Sequence, residues 1–186
     1  MSDMENQIDL NVKYSVKDYL SWKDISCELI DGVVKLMSGV TKWHNLITDG
    51  ISLLSMKIRD KNKECFRFYA PFDVFFSDVD VVQPDYGIVL DLSKVHDNGI
   101  YGAPDFIVEI LSPSSIKKDM VDKFKLYEKY GVKEYWIIEP RDLVLYRYIH
   151  QGNGYNDGEC FNFTTNSKVK LSILDIEIDL KDLLET

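Results

Sequence analysis

The chain has 186 residues, of which 45% are hydrophobic, 28% charged and 12% aromatic. That composition excludes a disordered chain and suits one domain over residues 1–186 with a substantial core. The formal net charge of −9 argues against a broad nucleic-acid-coating surface, which needs basic excess, but allows a local site where metal ions offset carboxylates.

The opening "MSDMENQIDLN" is acidic and polar, unlike a signal peptide. "YSVKDYLSWKD" carries apolar residues at helical spacing and predicts a short helix. "CELIDGVVKLM" alternates around Asp31-Gly32, a hairpin signal. Residues 42–60 predict a long helix, with His44, Ile47, Ile51, Leu54 and Ile58 on one face. Strand-like runs follow at 66–76, 79–90 and 105–111. "DLSKVHDNGIYGAPD" reads as a turn-rich loop. Residues 115–130 predict a second clear helix, stopped by Gly131. "KEYWIIEP" and "LVLYRYI" predict two strands joined at Pro140-Arg141-Asp142, with a surface loop at 151–158. Two strand-like pieces and "LKDLLE" close the chain. This order predicts an α/β or mixed α+β sheet protein. No apolar run approaches the ~18 residues that span a bilayer, so a membrane partner is not expected. Cys27, Cys65 and Cys160 are far apart and form neither a zinc pair nor a disulfide framework. A reducing cytoplasm is the default for such a chain.

Some charged residues do not fit this apolar frame. Glu109 interrupts the strand run Phe106–Leu111, and a buried carboxylate is costly unless paired or bound to metal. The bland alternative is an edge strand with Glu109 facing solvent. Asp85 follows Pro84 beside another apolar strand, where a simple turn residue would also fit. Asp105 is a decoy. It shares a face with Glu109 but lies roughly 13 Å away along the strand, too far to bind one small cation with it. Asp85 is on a different strand, and an adjacent strand lies only ~4.8 Å away, so Asp85 and Glu109 are the better metal pair.

Lys123 is the third anomaly. On a helical wheel of 116–131, Ile116, Met120, Tyr127 and Tyr130 gather on one side with Lys123 among them, while Lys117, Lys118, Lys125 and Lys129 point elsewhere. A snorkelling lysine is the ordinary alternative, but the centre of an apolar face leaves little room for it. Glu28, in the hairpin, and His44, at the start of the long helix, are weaker candidates. "SPSS" at 112–115 reads as a helix cap through Ser114 or Ser115, and Tyr135-Trp136 as core.

Two carboxylates from neighbouring strands plus a lysine form a coherent chemical set. The carboxylates suit Mg²⁺, which takes oxygen ligands and keeps several waters. The metal polarises a phosphodiester, and the lysine stabilises developing charge.

"ELIDG" (28–32), His44, "VVQPD" (81–85), "GAPDFIVEILSPSS" (102–115) and the blocks from Asp119 to Trp136 resemble the Uma-type putative restriction endonuclease family of the PD-(D/E)xK nuclease-like superfamily. The resemblance runs nearly end to end. It implies a restriction-endonuclease-like αβββαβ core around a mixed sheet, here with an added N-terminal hairpin and C-terminal strands. It maps the motif's aspartate onto Asp85 and its acidic residue onto Glu109. The motif's lysine position holds Leu111 instead, and Lys123 is the natural replacement from the neighbouring helix. The resemblance also implies the Ile110 backbone carbonyl as a metal ligand and places Glu28 and His44 as accessory residues.

The implied activity is a Mg²⁺-dependent DNA endonuclease, with Mn²⁺ as a substitute. Two alternatives stay open: a nuclease fold kept as a catalytically inactive binding or assembly module, and a metal-dependent phosphodiesterase acting on small substrates. Cutting both strands of a duplex is simplest with two active sites, which a homodimer would supply.

Overall fold

The computed structural model describes residues 8–23, 25–37, 39–61, 64–112 and 118–184. Helix α1 (Val16–Tyr19) is a single turn opened by a capping box: the Asp18 N–H donates to the Ser15 hydroxyl, and the Asp18 carboxylate accepts the Ser15 N–H. Strands β1 (Cys27–Ile30) and β2 (Val33–Leu36) form the hairpin expected from Asp31-Gly32. Both turn residues have positive φ, 52° and 74°, as a type I′ turn requires. Helix α2 (Lys42–Lys61) buries Ile47, Ile51 and Ile58 on the face read from the sequence.

The two long runs at 66–76 and 79–90 each divide. Strands β3 (Phe66–Tyr69) and β4 (Val74–Ser77) flank Pro71, while β5 (Asp80–Val82) and β6 (Tyr86–Val89) flank Pro84. Proline has no N–H to give to a ladder, so pairing stops there. The turn-rich stretch after β6 is not the plain loop expected. It holds a 3₁₀ turn at Leu92–Lys94 and two short strands, β7 (Val95–His96) and β8 (Gly99–Tyr101), with β8 parallel to β4. The fully buried Ile100 draws β8 into the sheet, and Asp97-Asn98 makes the tight connection between β7 and β8.

Strand β9 (Phe106–Ile110) is buried along its whole length. The helix expected at 115–130 is wound in two ways: Lys118–Lys123 is π-helical, and α3 (Phe124–Tyr130) follows as α-helix. Gly131 ends it in the left-handed conformation, φ 73°. Residues 113–117, with the expected Ser114 or Ser115 cap, lie outside the described residues. Strands β10 (Glu134–Glu139) and β11 (Val144–Ile149) pair as expected, and β12 (Glu159–Asn162), β13 (Lys168–Leu171) and β14 (Ile176–Asp179) complete the set. A last 3₁₀ turn, Leu180–Leu183, packs under α2.

Among the described residues the strands form two six-stranded sheets, ordered β2-β1-β5-β4-β8-β7 and β12-β11-β10-β9-β6-β3, plus the ribbon β13-β14. The architecture is the mixed α+β arrangement read from the sequence. Strand β9 lies inside the second sheet, parallel to β10 and antiparallel to β6, so it is not an edge strand. Its alternation divides two cores. Phe106, Val108 and Ile110 join the α2 residues, whereas Ile107 and Leu111 join Leu126 and Tyr127 of α3. A fully buried isoleucine of this kind contributes about 1.5–3 kcal/mol. The period of two places Glu109 on the α3 side.

Candidate active site

The site is built where the chain crosses from one sheet to the other. Residues Gln83-Pro84-Asp85 connect β5 of the first sheet to β6 of the second. The Gln83 N–H donates to Glu28 Oε1 on β1 at 2.9 Å. Asp85 Oδ2 accepts the N–H of Ile110 at 2.6 Å, and Asp85 Oδ1 lies 3.0 Å from His44 Nε2 in the first turn of α2. The β6–β9 ladder reaches the pair Tyr86↔Val108. Asp85 lies one residue before the first paired residue of β6, and Glu109 one residue after Val108 on β9.

Lys123 closes the site from the other side. Its Nζ is 2.8 Å from Glu28 Oε1 and 2.8 Å from Glu109 Oε1. The Tyr127 hydroxyl donates to the same Glu109 oxygen at 2.6 Å. Glu28, Glu109, Lys123 and Tyr127 are all buried, at no more than 3% exposure. Burial pushes the Tyr127 phenol far above its ordinary range, and the Glu109 charge adds to the effect. Tyr127 therefore stays a neutral donor. On β1, burial pushes the Cys27 thiol up to about 11, with the charge of neighbouring Glu28 contributing.

The lysine reaches this position because of how its segment winds. A wheel at ~100° per residue puts Met120 on the same face as Lys123. In the π-helical segment Met120 and Val121 are exposed, at 37% and 42%, while Lys123 turns inward. The wider i→i+5 winding breaks the wheel, and such turns cluster at functional sites. Asp122, next in sequence, pairs with Lys35 of β2 at 2.9 Å and ties the segment to the hairpin.

The structure thus joins Glu28, Glu109 and Lys123 directly, and links His44 to Asp85 and Asp85 to the β9 backbone. Ile110 contributes its N–H to this set. Asp105 belongs elsewhere: it accepts the Leu90 N–H at 2.7 Å and pairs with Lys133 at 2.7 Å, clipping the far end of β9. Tyr135 and Trp136 are core, as expected. Two contributors escaped the sequence reading. Tyr127 was visible only as an apolar-face residue, although it stands four residues from Lys123, a spacing that makes helix neighbours. Gln83 acts through its backbone, which no side-chain pattern reveals.

Asp85, in the connection before β6, and Glu109 of β9 are the residues that would offer carboxylate oxygens to a hard divalent cation. Among the described residues no group of three or more His, Cys, Asp or Glu side chains is arranged to hold a metal. Mg²⁺ commonly takes one or two carboxylates and keeps waters for the rest, whereas a structural zinc site needs a fuller cage.

Residues 16–181 match the Uma2 family, described as "Putative restriction endonuclease". The chain belongs to the Uma2 family. A solved structure described as a putative nuclease belonging to DUF820, from Anabaena variabilis ATCC 29413, is similar with a TM-score of 0.75 at 18% identity. The match covers 92% of this chain and 98% of that one, and it shows a shared fold. A search of curated proteins finds no match. Among the described residues of this Uma2 member, no helix is long and apolar enough to cross a membrane.

Proposed function

We propose that this chain is a divalent-metal-dependent endonuclease that hydrolyses phosphodiester bonds in DNA. The observation that carries the reading is the Lys123–Glu109 contact at 2.8 Å. The lysine that the family motif would place at position 111 is replaced there by buried Leu111, and Lys123 brings an ammonium to the same carboxylate from the following helical segment. Asp85 and Glu109, with the carbonyl of Ile110, would hold Mg²⁺ or Mn²⁺. When bound, such an ion polarises the phosphodiester and acidifies water.

The chain's own residues do the remaining work. His44 and the Ile110 N–H fix both oxygens of Asp85. Tyr127 and Lys123 fix Glu109. Glu28, itself held by Gln83, keeps Lys123 in place. The Lys123 ammonium favours the negative charge that builds on phosphate during attack. A water oxygen bonds to phosphorus, the P–O3′ bond breaks, and 5′-phosphate and 3′-hydroxyl ends result. A second reading, a nuclease fold used for binding without catalysis, is favoured by the ion-paired enclosure of Lys123 between two carboxylates.

The test is incubation of purified protein with supercoiled plasmid and with single-stranded DNA, in Mg²⁺, Mn²⁺ or EDTA. Asp85→Ala, Glu109→Ala and Lys123→Ala variants run alongside. Metal-dependent nicking lost in all three supports the proposal. Cleavage that survives Lys123→Ala removes the lysine from the mechanism, and absence of cleavage by folded wild type favours the non-catalytic reading.

A further inference from the structure

We infer that Lys42 and Trp43 form a stacking shelf beside the candidate site, which takes an unpaired nucleobase together with its phosphate. The inference deepens the nuclease reading and rests on it for the identity of the substrate. Trp43 is 39% exposed at the start of α2. The Lys42 ammonium lies 4.9 Å from its ring centroid. The next residue, His44, turns inward to Asp85. Consecutive Cα atoms are only ~3.8 Å apart, so the indole is rooted one residue from an imidazole that touches Asp85.

Charge distribution indicates which kind of strand fits. The chain carries a net charge of −9. Many of its exposed lysines are already paired with carboxylates, as in Lys13–Asp31, Lys57–Asp182, Lys168–Glu177 and Lys170–Asp175. A duplex tracked through its phosphates needs a continuous run of such cations. Lys42 instead sits over an aromatic ring, where its charge stays available to a phosphate oxygen. Stacking on an indole works for any base and does not depend on basic excess, but it needs a base that is free of its own partner. A single-stranded or locally unpaired stretch meets that condition, and a fully paired duplex does not.

The test is fluorescence anisotropy of three labelled probes in EDTA, where no cleavage occurs: an oligothymidylate, an abasic oligomer of equal length and a fully paired duplex. Wild type should bind the oligothymidylate more tightly than either other probe. Trp43→Ala should abolish the preference over the abasic oligomer, a loss of roughly ten-fold, while Trp43→Phe keeps most of it. Lys42→Met should weaken both single-stranded probes equally. Equal binding of base-bearing and abasic probes by wild type overturns the inference. So does equal binding of the duplex, or a Trp43→Ala variant that alters only self-association. Base-dependent binding by a protein that cuts nothing would keep the shelf and reject the nuclease. Cleavage of single-stranded DNA by Trp43→Ala at the wild-type rate would do the reverse.

Discussion

The Lys123 ammonium stands 2.8 Å from Glu28 on β1 and 2.8 Å from Glu109 on β9, so one buried cation joins the two sheets. Removing one partner of a buried ionic cluster leaves uncompensated charge and costs about 3–5 kcal/mol. Lys123→Met should therefore lower stability by that order in urea unfolding. The double variant Lys123→Met/Glu28→Gln should be less destabilised than Lys123→Met alone, because one stranded carboxylate has been neutralised. An equal or larger loss in the double variant would mean that the three groups are not coupled.

Tyr127→Phe removes one hydroxyl and keeps the ring that packs against Tyr135. The lost donation to a carboxylate is worth about 1.5–3 kcal/mol. The variant should stay folded, unfold at a lower temperature and bind Mn²⁺ more weakly, since Glu109 loses a group that fixes its orientation. Unchanged Mn²⁺ affinity would limit Tyr127 to a packing role.

The parts of this arrangement that were legible in the sequence are those that break a local pattern. Glu109 stood out because a carboxylate in a buried strand has to be explained, and Lys123 because it fell on an apolar face. The resemblance brought Lys123 to the cleft of Glu109, but the π-helical winding that delivers it there is encoded by no hydrophobic period. The division at Pro71 and Pro84 could be read from the missing N–H groups. Strand β8 was hidden by turn residues that form a hairpin of their own. Glu134 was missed for a different reason. It is fully buried in β10, yet its oxygens are satisfied by Trp136, by Arg147 from β11 and by the Ser172 N–H, and only cross-strand register brings these together.

Asp80 predicts a specific acid sensitivity. Burial alone would raise its pKa, but the Asp31 N–H, Tyr130, Ser77 and Lys129 together hold it below the ordinary carboxylate range. Its folded value is below its unfolded one, about 3.9. Its contribution is therefore present above about pH 4 and is lost as pH falls through the folded value. The stability advantage of wild type over Asp80→Asn should be full at neutral pH and shrink below about pH 4. A pH-independent difference between the two in denaturant titrations would contradict this assignment.

Gly50 lies within α2, where alanine would normally be favoured by about 1 kcal/mol. Here an added Cβ would collide with the backbone of Leu183 in the final turn. Backbone cannot yield as a side-chain tip can, so Gly50→Ala should destabilise the protein by about 1–3 kcal/mol. Thermal unfolding of the variant at or above the wild-type midpoint would show that α2 does not dock so closely on that turn.

In the proposed function, Asp85 and Glu109 together hold a divalent cation. Titration calorimetry of Mg²⁺ into wild type, Asp85→Asn and Glu109→Gln tests it most directly, with folding of each protein checked by circular dichroism. Saturable binding at one site is expected in wild type, with its loss in both variants. Absence of binding by folded wild type, or binding that persists unchanged in either variant, would contradict it.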